Sequence, residues 1–174
     1  MEQVIVGDGR ICTLRPAVGD DAADFIRAVD SVAREGQYFL RSRFEVDEDQ
    51  ERAFLAEAKE RGDLILVAHV DGALVGWVTL VRSKREFMRH TAEFGMGVVQ
   101  GYRAIGIGTA LIAWTLRYAA EQGIEKVNLG VRANNERAMA LYRKFGFAVE
   151  GCRVRDIKDA QGQYHDTIEM ARFL

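Results

Sequence analysis

The sequence predicts a single α+β domain with a mixed, mostly antiparallel sheet of about seven strands and about four helices. Three observations support this expectation. Segments of alternating polarity and segments of helical periodicity follow one another in mixed order along the 174 residues. Two β-rich runs are joined by Asp71-Gly72, which is a strong signal for an antiparallel hairpin. Hydrophobic residues make up 48% and charged residues 29%, as is usual for one globular domain spanning residues 1–174.

The N-terminal segment predicts one strand followed by a helix. Ile11–Leu14 is a short β-rich run that ends just before the chain's single proline. Asp20 and Asp21 can provide an N-cap and negative charge for the first turn of a helix that continues to about Glu35.

A loop and a second helix follow. Gly36–Phe44 has neither helical nor strand periodicity, so we expect a loop there. Asp47 is placed to cap the second helix, and Gly62 marks its end because glycine is common just after a helix.

The middle of the chain predicts three strands and a third helix. Leu64–Val70 and Ala73–Val81 form the hairpin, and Arg89–Val99 alternates apolar with polar or small residues. Apolar residues from Ile107 onward recur at helical spacing, and Gly123 ends that helix.

The C-terminal segment predicts a strand, a helix and a closing hairpin. Lys126–Val131 is a short strand, and one parallel pair is expected because a helix precedes it. Asn135 caps the fourth helix, which Gly146 ends. Val149–Ile157 and Tyr164–Phe173 then form the final hairpin.

Charge and residue spacing exclude several functional classes. The chain has 24 Lys and Arg against 26 Asp and Glu, so it lacks the basic charge of a nucleic-acid or membrane-surface binder. It shows no signal peptide and no apolar run long enough to span a bilayer. His69, His90 and His165 are scattered, and Cys12 lies far from Cys152. We therefore expect a cytoplasmic protein without nucleic-acid, membrane or metal partners.

The segment between the predicted strand Arg89–Val99 and the third helix is rich in glycine. Gly106 and Gly108 open the helix, where free backbone N–H groups and the helix dipole favour an anion such as a pyrophosphate. Arg103 can add charge-assisted hydrogen bonds to phosphate. The segment lacks the Lys and Ser or Thr of a Walker A loop. A glycine turn that only packs helix against strand is the alternative.

A second group of residues lies at the start of the fourth helix. An N-cap role alone accounts for asparagine at position 135. Tyr142 lies on the apolar face of the helix, where a tyrosine is ordinarily a core residue. A phenol with a pKa near ~10 can also donate a proton to a leaving thiolate. The residues alone leave both interpretations open.

These segments contain two motifs. The first is Arg103-x-x-Gly106-x-Gly108, and the second is Asn135-x-x-Ala138-x-x-Leu141-Tyr142-x-x-x-Gly146-Phe147. Together they resemble the acetyl-CoA signature and the second motif of the GCN5-related N-acetyltransferase (GNAT) superfamily. Asp166–Met170 resembles the closing strand of the branch that includes ribosomal-protein and small-amine acetyltransferases. The resemblance covers about Thr91–Leu174 and implies the three-layer GNAT fold.

The resemblance implies acetyl-CoA as co-substrate, without a metal. In the family, main-chain N–H groups of the glycine-rich loop bind the pyrophosphate, and the preceding strand end pairs with the pantetheine arm. The matching residues here are Met96, Val98, Arg103, Ala104, Ile105, Gly106, Ile107, Gly108, Thr109, Asn135, Ala138 and Tyr142.

The resemblance also implies two catalytic groups. The residue that matches Tyr142 often protonates the leaving thiolate, and a carboxylate on the strand before the glycine-rich loop often accepts the proton of the amine, directly or through water. Glu93 is the only acidic residue in that strand, so we expect it to be the base.

The acceptor is least defined. In the family, the segment between the first two helices covers the acceptor pocket, which here corresponds to Glu35, Tyr38, Phe39 and Arg41. These residues suit a primary amine of an amino acid, an amino-acid analogue or a polyamine, or a peptide N-terminus. A non-catalytic acyl-CoA-binding sensor on the same fold is the alternative. Dimers are common in the family, so a homodimer is an option that the sequence neither requires nor excludes.

Overall fold

The computed structural model describes all 174 residues and contains eight strands and four helices. Short 3-10 turns lie at Gly19–Asp21, Glu86–Met88 and Gln100–Tyr102. The main elements are β1 (Glu2–Ile5), β2 (Ile11–Pro16), α1 (Ala22–Ala33), α2 (Glu48–Ala56), β3 (Leu64–Val70), β4 (Ala73–Arg82), β5 (Thr91–Val98), α3 (Ile107–Glu121), β6 (Lys126–Arg132), α4 (Glu136–Lys144), β7 (Ala148–Lys158) and β8 (Tyr164–Phe173).

The sheet is mixed and mostly antiparallel, as the sequence predicts. Its strands are hydrogen-bonded in the order β1-β2-β3-β4-β5-β6-β8-β7. The pair β5–β6 is parallel, with Thr91 opposite Lys126 and Glu93 opposite Asn128. The α+β fold class is therefore confirmed, with one strand more than the seven expected.

The additional strand is β1, which pairs antiparallel with β2 through contacts such as Val4 opposite Cys12. It has only four residues, of which two are exposed and two half-buried, so its sequence pattern is too short to be distinctive. The prediction of α2 was too long, because the helix ends at Ala56 rather than at Gly62. The residues between the end of α2 and Gly62 form turns instead. The Gly62 N–H donates to the Lys59 carbonyl, and φ of Gly62 is +78°.

Of the N-caps predicted for α1 and α2, the structure confirms the one on α2 and not the side-chain cap of Asp21 on α1. Asp47 accepts hydrogen bonds from the N–H groups of Asp49 and Gln50, which confirms it as the N-cap of α2. Asp21 does not cap α1 with its side chain. Its carboxylate instead accepts two hydrogen bonds from Arg15, at 2.6 and 2.7 Å, because this half-buried guanidinium on β2 is within reach.

The chain forms two compact units, each described here by itself. The first comprises Met1–Val81 and Gly95–Thr115. Within it, α1 and α2 pack on β3 and β4 around a buried core that includes Phe25, Val67 and Trp77.

The helix α3 packs on the opposite face of β4 in this first unit. A Cβ placed on Gly76 would lie 3.2 Å from Leu111 Cδ1 and 3.3 Å from Ile107 Cγ2. Since neighbouring strand residues point to opposite faces, Gly76 faces α3 while Trp77 faces α1. The unit therefore has three layers, with α1 and α2, the strands, and α3 in succession.

The second unit comprises Arg82–Phe94 and Leu116–Leu174. It contains the first half of β5 with β6, β8 and β7, together with α4. Val127, Leu129 and Met170 are buried in it, whereas β7 is an edge strand with mostly exposed residues.

Candidate functional site

The cofactor loop, residues 103–109, has an unusual backbone. Ala104 and Gly106 have positive φ values of +67° and +98°, while Ile105 between them does not. Anion-binding concavities in proteins are built from alternating right- and left-handed residues, whose successive N–H groups point to one side. The Ala110 N–H donates to the Gly106 carbonyl at 3.0 Å as α3 begins. The N–H groups of the preceding residues lie at the free helix N-terminus.

The turn between β1 and β2 supports this loop from one side. The Gly7 N–H donates to the Ile105 carbonyl at 2.7 Å. The Arg10 guanidinium lies over the ring of Tyr102, 4.9 Å from its centroid. The turn that follows β1, the strand that the sequence did not predict, is therefore part of what holds the loop in its conformation.

Arg103 connects the cofactor loop to the end of α1. Its Nε donates to the Val98 carbonyl at 2.8 Å, and its two terminal nitrogens donate to the Glu35 carboxylate at 2.8 and 2.5 Å. Both side chains are less than one fifth exposed. The Tyr38 ring stacks on the guanidinium, with its centroid 4.9 Å from Cζ. The predicted cofactor residue Arg103 and the predicted acceptor residues Glu35 and Tyr38 thus form one cluster.

An aromatic wall lies beside this cluster in the first unit. Phe39 stacks on Trp77 with ring centroids 5.9 Å apart and planes at 10°, and Phe25 meets the same indole edge-on. A Cβ on Gly97 would overlap the Trp77 ring, so glycine is required where the indole crosses β5. Of the other predicted acceptor residues, Arg41 is exposed on the surface.

A groove of about 520 Å³ opens elsewhere on α1 and the segment before α2. None of the predicted site residues lines it. Its lining residues are Ile26, Arg27, Asp30, Phe44, Glu45, Val46 and Asp47.

Met96 and Val98 are half-buried in the second half of β5. The Val98 carbonyl already accepts the hydrogen bond from Arg103, and the next N–H, of Val99, donates to Val75 at 2.9 Å. Pairing of this strand end with a pantetheine arm stays a prediction.

In the second unit, Tyr142 of α4 is buried and only 8% exposed. Its ring centroid lies 6.1 Å from that of Phe94 and 5.8 Å from that of Phe147. Burial raises the pKa of the phenol to about 12. The hydroxyl therefore keeps its proton at neutral pH, as a proton donor must.

The remaining predicted residues of this unit have ordinary surroundings. Glu93 is an exposed residue of β5, opposite Asn128 in the parallel register. The Asn135 side chain accepts the Ala138 N–H at 3.1 Å, which confirms the N-cap of α4. A cofactor contact for Asn135 or for the half-buried Ala138 stays a prediction.

The structure contains no group of three or more His, Cys, Asp or Glu side chains placed to hold a metal ion. None of its helices combines the length and the apolar character needed to cross a membrane.

Comparison with protein families decides the assignment. The profile of the acetyltransferase (GNAT) family matches residues 30–147, which include the end of α1, the cofactor loop and α4. The chain belongs to this family. The GNAT membership expected from the two sequence motifs is thereby confirmed.

Curated N-acetyltransferases are similar to this chain over 62% to 92% of its length. A probable N-acetyltransferase san of Drosophila melanogaster is 30% identical over 68% of this chain and 60% of that protein. The L-amino acid N-acetyltransferase AaaT of Escherichia coli is 31% identical over 62% of this chain and 66% of that protein. The spermidine N(1)-acetyltransferase of E. coli is 27% identical over 92% of this chain and 84% of that protein. The matching part of the chain thus spans about three fifths of the length of the first of these relatives and about two thirds of the length of the second.

A solved structure of a putative acetyltransferase has the same fold. The structure of yncA, a putative acetyltransferase from Salmonella typhimurium with its cofactor acetyl-CoA, superposes with a TM-score of 0.85. It is 21% identical and covers 94% of each chain.

Sequence reasoning named Glu35 and Arg103 separately but missed the contact between them, and it did not name Trp77 as a site residue. Glu35 and Arg103 are 68 positions apart, so no local pattern indicates their ion pair. In the sequence, Trp77 is recognisable only as one residue of a β-rich run. The sequence of β5 did contain a signal for a close approach to the strand. Gly95 and Gly97 lie on the strand face that carries Glu93. Glycine weakens a strand, so its presence there indicates that another group packs closely against the backbone.

Proposed function

We propose that this chain is an N-acetyltransferase that moves the acetyl group of acetyl-CoA to a primary amine. The observation that carries the proposal is the backbone of residues 103–109. Positive φ values at Ala104 and Gly106 and the free N-terminus of α3 give an anion cradle of the kind that a pyrophosphate fits. Membership of the GNAT family supports the same cofactor.

The binding residues follow from this cradle. Main-chain N–H groups of residues 103–109 hold the pyrophosphate, and the backbone of Met96 and Val98 pairs with the pantetheine arm. Asn135 and Ala138, at the start of α4, contact the cofactor from the second motif. The cofactor supplies an activated acetyl thioester, and the remaining chemistry belongs to the chain's own residues.

Glu93 is proposed to remove the proton from the acceptor. An aliphatic ammonium cannot attack a carbonyl until it loses a proton, and the exposed carboxylate of Glu93 accepts that proton directly or through water. The neutral amine then forms the new C–N bond as the C–S bond of the thioester breaks.

Tyr142 is proposed to donate to the leaving sulfur. Burial raises the pKa of the Tyr142 phenol to about 12, well above that of an ordinary thiol, so complete proton transfer to the thiolate is uphill. The useful contribution is therefore a hydrogen bond that strengthens as negative charge develops on sulfur, and the released coenzyme A thiolate then takes its proton from water.

The proposed acceptor is a small amine, with a peptide N-terminus as the other class. The acceptor segment, residues 36–44, contains Tyr38, which stacks on Arg103, Phe39, which stacks on Trp77, and the exposed Arg41, so it combines aromatic and charged groups. The similar E. coli proteins are named for L-amino acids and for spermidine, which supports an amino acid or a polyamine.

The test is release of coenzyme A from acetyl-CoA, followed with a thiol reagent. The panel comprises amino acids and their analogues, polyamines, aminoglycosides and peptides. We expect acceptor-dependent release with at least one class of amine. Tight binding of acetyl-CoA without release across the panel would instead support the non-catalytic sensor, and absence of acetyl-CoA binding would contradict both.

A further inference from the structure

We propose that Glu35 is a positioning residue that couples the acceptor segment to the cofactor loop through Arg103. This inference rests on the proposed function, because it assigns acceptor and cofactor to these two segments. It also gives Arg103 a different task from the phosphate contact that the sequence suggested.

The first argument is the use of the Arg103 donors. The guanidinium makes a two-point hydrogen bond to the Glu35 carboxylate, and its Nε is occupied by the Val98 carbonyl. Tyr38 stacks on the guanidinium. A charge-assisted pair with this geometry, less than one fifth exposed, is among the stronger polar interactions in proteins.

The second argument is the anchoring of the acceptor segment. It begins immediately after Glu35, at the end of α1, where the Glu35 N–H donates to Val32. It closes near the same helix, because the Phe44 N–H donates to Asp30 Oδ1 at 2.9 Å. Both ends are thus fixed on α1, and Arg103 holds the segment's start against the cofactor loop.

The third argument is the need for support within the cofactor loop. Ala104 has φ +67°, a left-handed conformation that is unfavourable for a non-glycine residue. Such a conformation persists only when its surroundings impose it. On one side of Ala104, Arg103 is held by its side-chain hydrogen bonds to Glu35. On the other side, the Ile105 carbonyl is held by the Gly7 N–H.

The two possible tasks of Arg103 predict opposite effects for Glu35→Gln. If Arg103 binds phosphate, removing the nearby carboxylate frees a cation, and coenzyme A binds as tightly as before or more tightly. If Glu35 positions the loop, the same change weakens coenzyme A binding. It also loosens the acceptor segment, which a phosphate contact alone would not do.

The experiment compares Glu35→Gln, Arg103→Gln and the double variant in the full chain. Glu60→Gln, at an exposed glutamate of the same unit, is the matched control. The coenzyme A dissociation constant is measured by calorimetry, and kcat and KM for acceptor are measured at saturating acetyl-CoA. Amide hydrogen exchange of residues 36–44 and 100–106 is measured without any ligand.

We expect Glu35→Gln to raise the coenzyme A dissociation constant and the acceptor KM, each about tenfold, with kcat nearly unchanged. Exchange should accelerate in both segments, and the double variant should be no worse than Arg103→Gln, since coupled residues are not additive. Unchanged or tighter coenzyme A binding, an unchanged acceptor KM, or exchange that changes only in residues 36–44 would overturn the inference.

The wild-type protein separates this inference from the proposed function. Wild-type acetylation together with unaltered constants in Glu35→Gln rejects the positioning role alone. Failure of the wild type to bind coenzyme A rejects the proposed function, and the positioning role with it.

Discussion

Tyr142 lies among aromatic rings in the second unit, so replacing its hydroxyl changes chemistry more than packing. Tyr142→Phe keeps the ring contacts with Phe94 and Phe147 and removes the proposed hydrogen bond to sulfur. We expect kcat to fall about 10²-fold or more, the scale of a lost hydrogen bond to charge that develops in the transition state, while acetyl-CoA affinity changes little. Steady-state kinetics and calorimetry provide the two readouts.

The control for this variant is Tyr164→Phe, which removes the hydroxyl of a half-exposed tyrosine on β8. Its kcat should match that of the wild type. Equal kcat in wild type and Tyr142→Phe would rule out the proposed hydrogen bond from Tyr142 to sulfur and leave Tyr142 a core residue.

Glu51 predicts a pH effect on stability rather than on activity. It is 5% exposed, its Oε1 has no hydrogen-bond partner, and burial raises its pKa above the usual carboxyl value. The folded state therefore binds this proton more tightly than the unfolded chain does. The free energy of unfolding falls as pH rises from the ordinary carboxyl range through the raised pKa, and it is level above that.

Glu51→Gln should remove this decrease and stabilise the protein by about 1 kcal/mol at pH 7–8, because no buried charge remains unpaired. Urea unfolding at several pH values measures it, with Glu60→Gln as the exposed control. If Glu51→Gln were less stable than the wild type at neutral pH, the Glu51 carboxylate would have hydrogen-bond partners in solution, which would contradict this prediction.

At the scale of elements, the start of α3 depends on one backbone conformation. Gly106 has φ +98°, so Gly106→Ala strains the turn by about 1–2 kcal/mol and redirects the N–H groups of the proposed cradle. We expect lower thermal stability and weaker coenzyme A binding. Calorimetry and thermal unfolding measure both effects.

Gly101→Ala is the matched control, since its φ is not positive and an added Cβ meets no atom within 4 Å. It should behave as the wild type does. Unaltered coenzyme A binding in Gly106→Ala would argue against the loop as the pyrophosphate site.

The contact between β4 and β5 makes a second prediction at this scale. A Cβ on Gly97 would overlap the buried Trp77 ring, so Gly97→Ala should destabilise the protein by about 1–3 kcal/mol. Trp77→Leu should itself be destabilising, but the double variant should lose less than the sum of the two. Urea unfolding of all three proteins checks this, and strict additivity would contradict the overlap.

The sequence predicts elements well where a periodic pattern and a terminal signal coincide. The β3–β4 hairpin around Asp71-Gly72 and the Asn135 cap of α4 are confirmed for this reason. The strand β1 was missed because four residues carry little pattern. The length of α2 was overestimated because Gly62 ends a series of turns as readily as a helix.

At the scale of the whole molecule, the family could be predicted because its two motifs are contiguous in sequence. The Glu35–Arg103 pair and the Trp77–Phe39 stack could not, because each joins distant segments that only folding brings together. The predicted site residues accordingly divide between the two units, with the cofactor loop in the first and Tyr142 and Glu93 in the second. A single domain, a cytoplasmic location and a homodimer stay predictions.

The most direct test of the account is transfer of a ¹³C-labelled acetyl group. The protein is incubated with labelled acetyl-CoA and the acceptor that gives the highest coenzyme A release, and the product is examined by NMR and mass spectrometry. We predict one labelled amide per coenzyme A released, formed by the wild type and by Gly101→Ala and much more slowly by Tyr142→Phe. Label that stays on coenzyme A, or appears as free acetate while every amine remains unmodified, would contradict the proposed N-acetyltransferase.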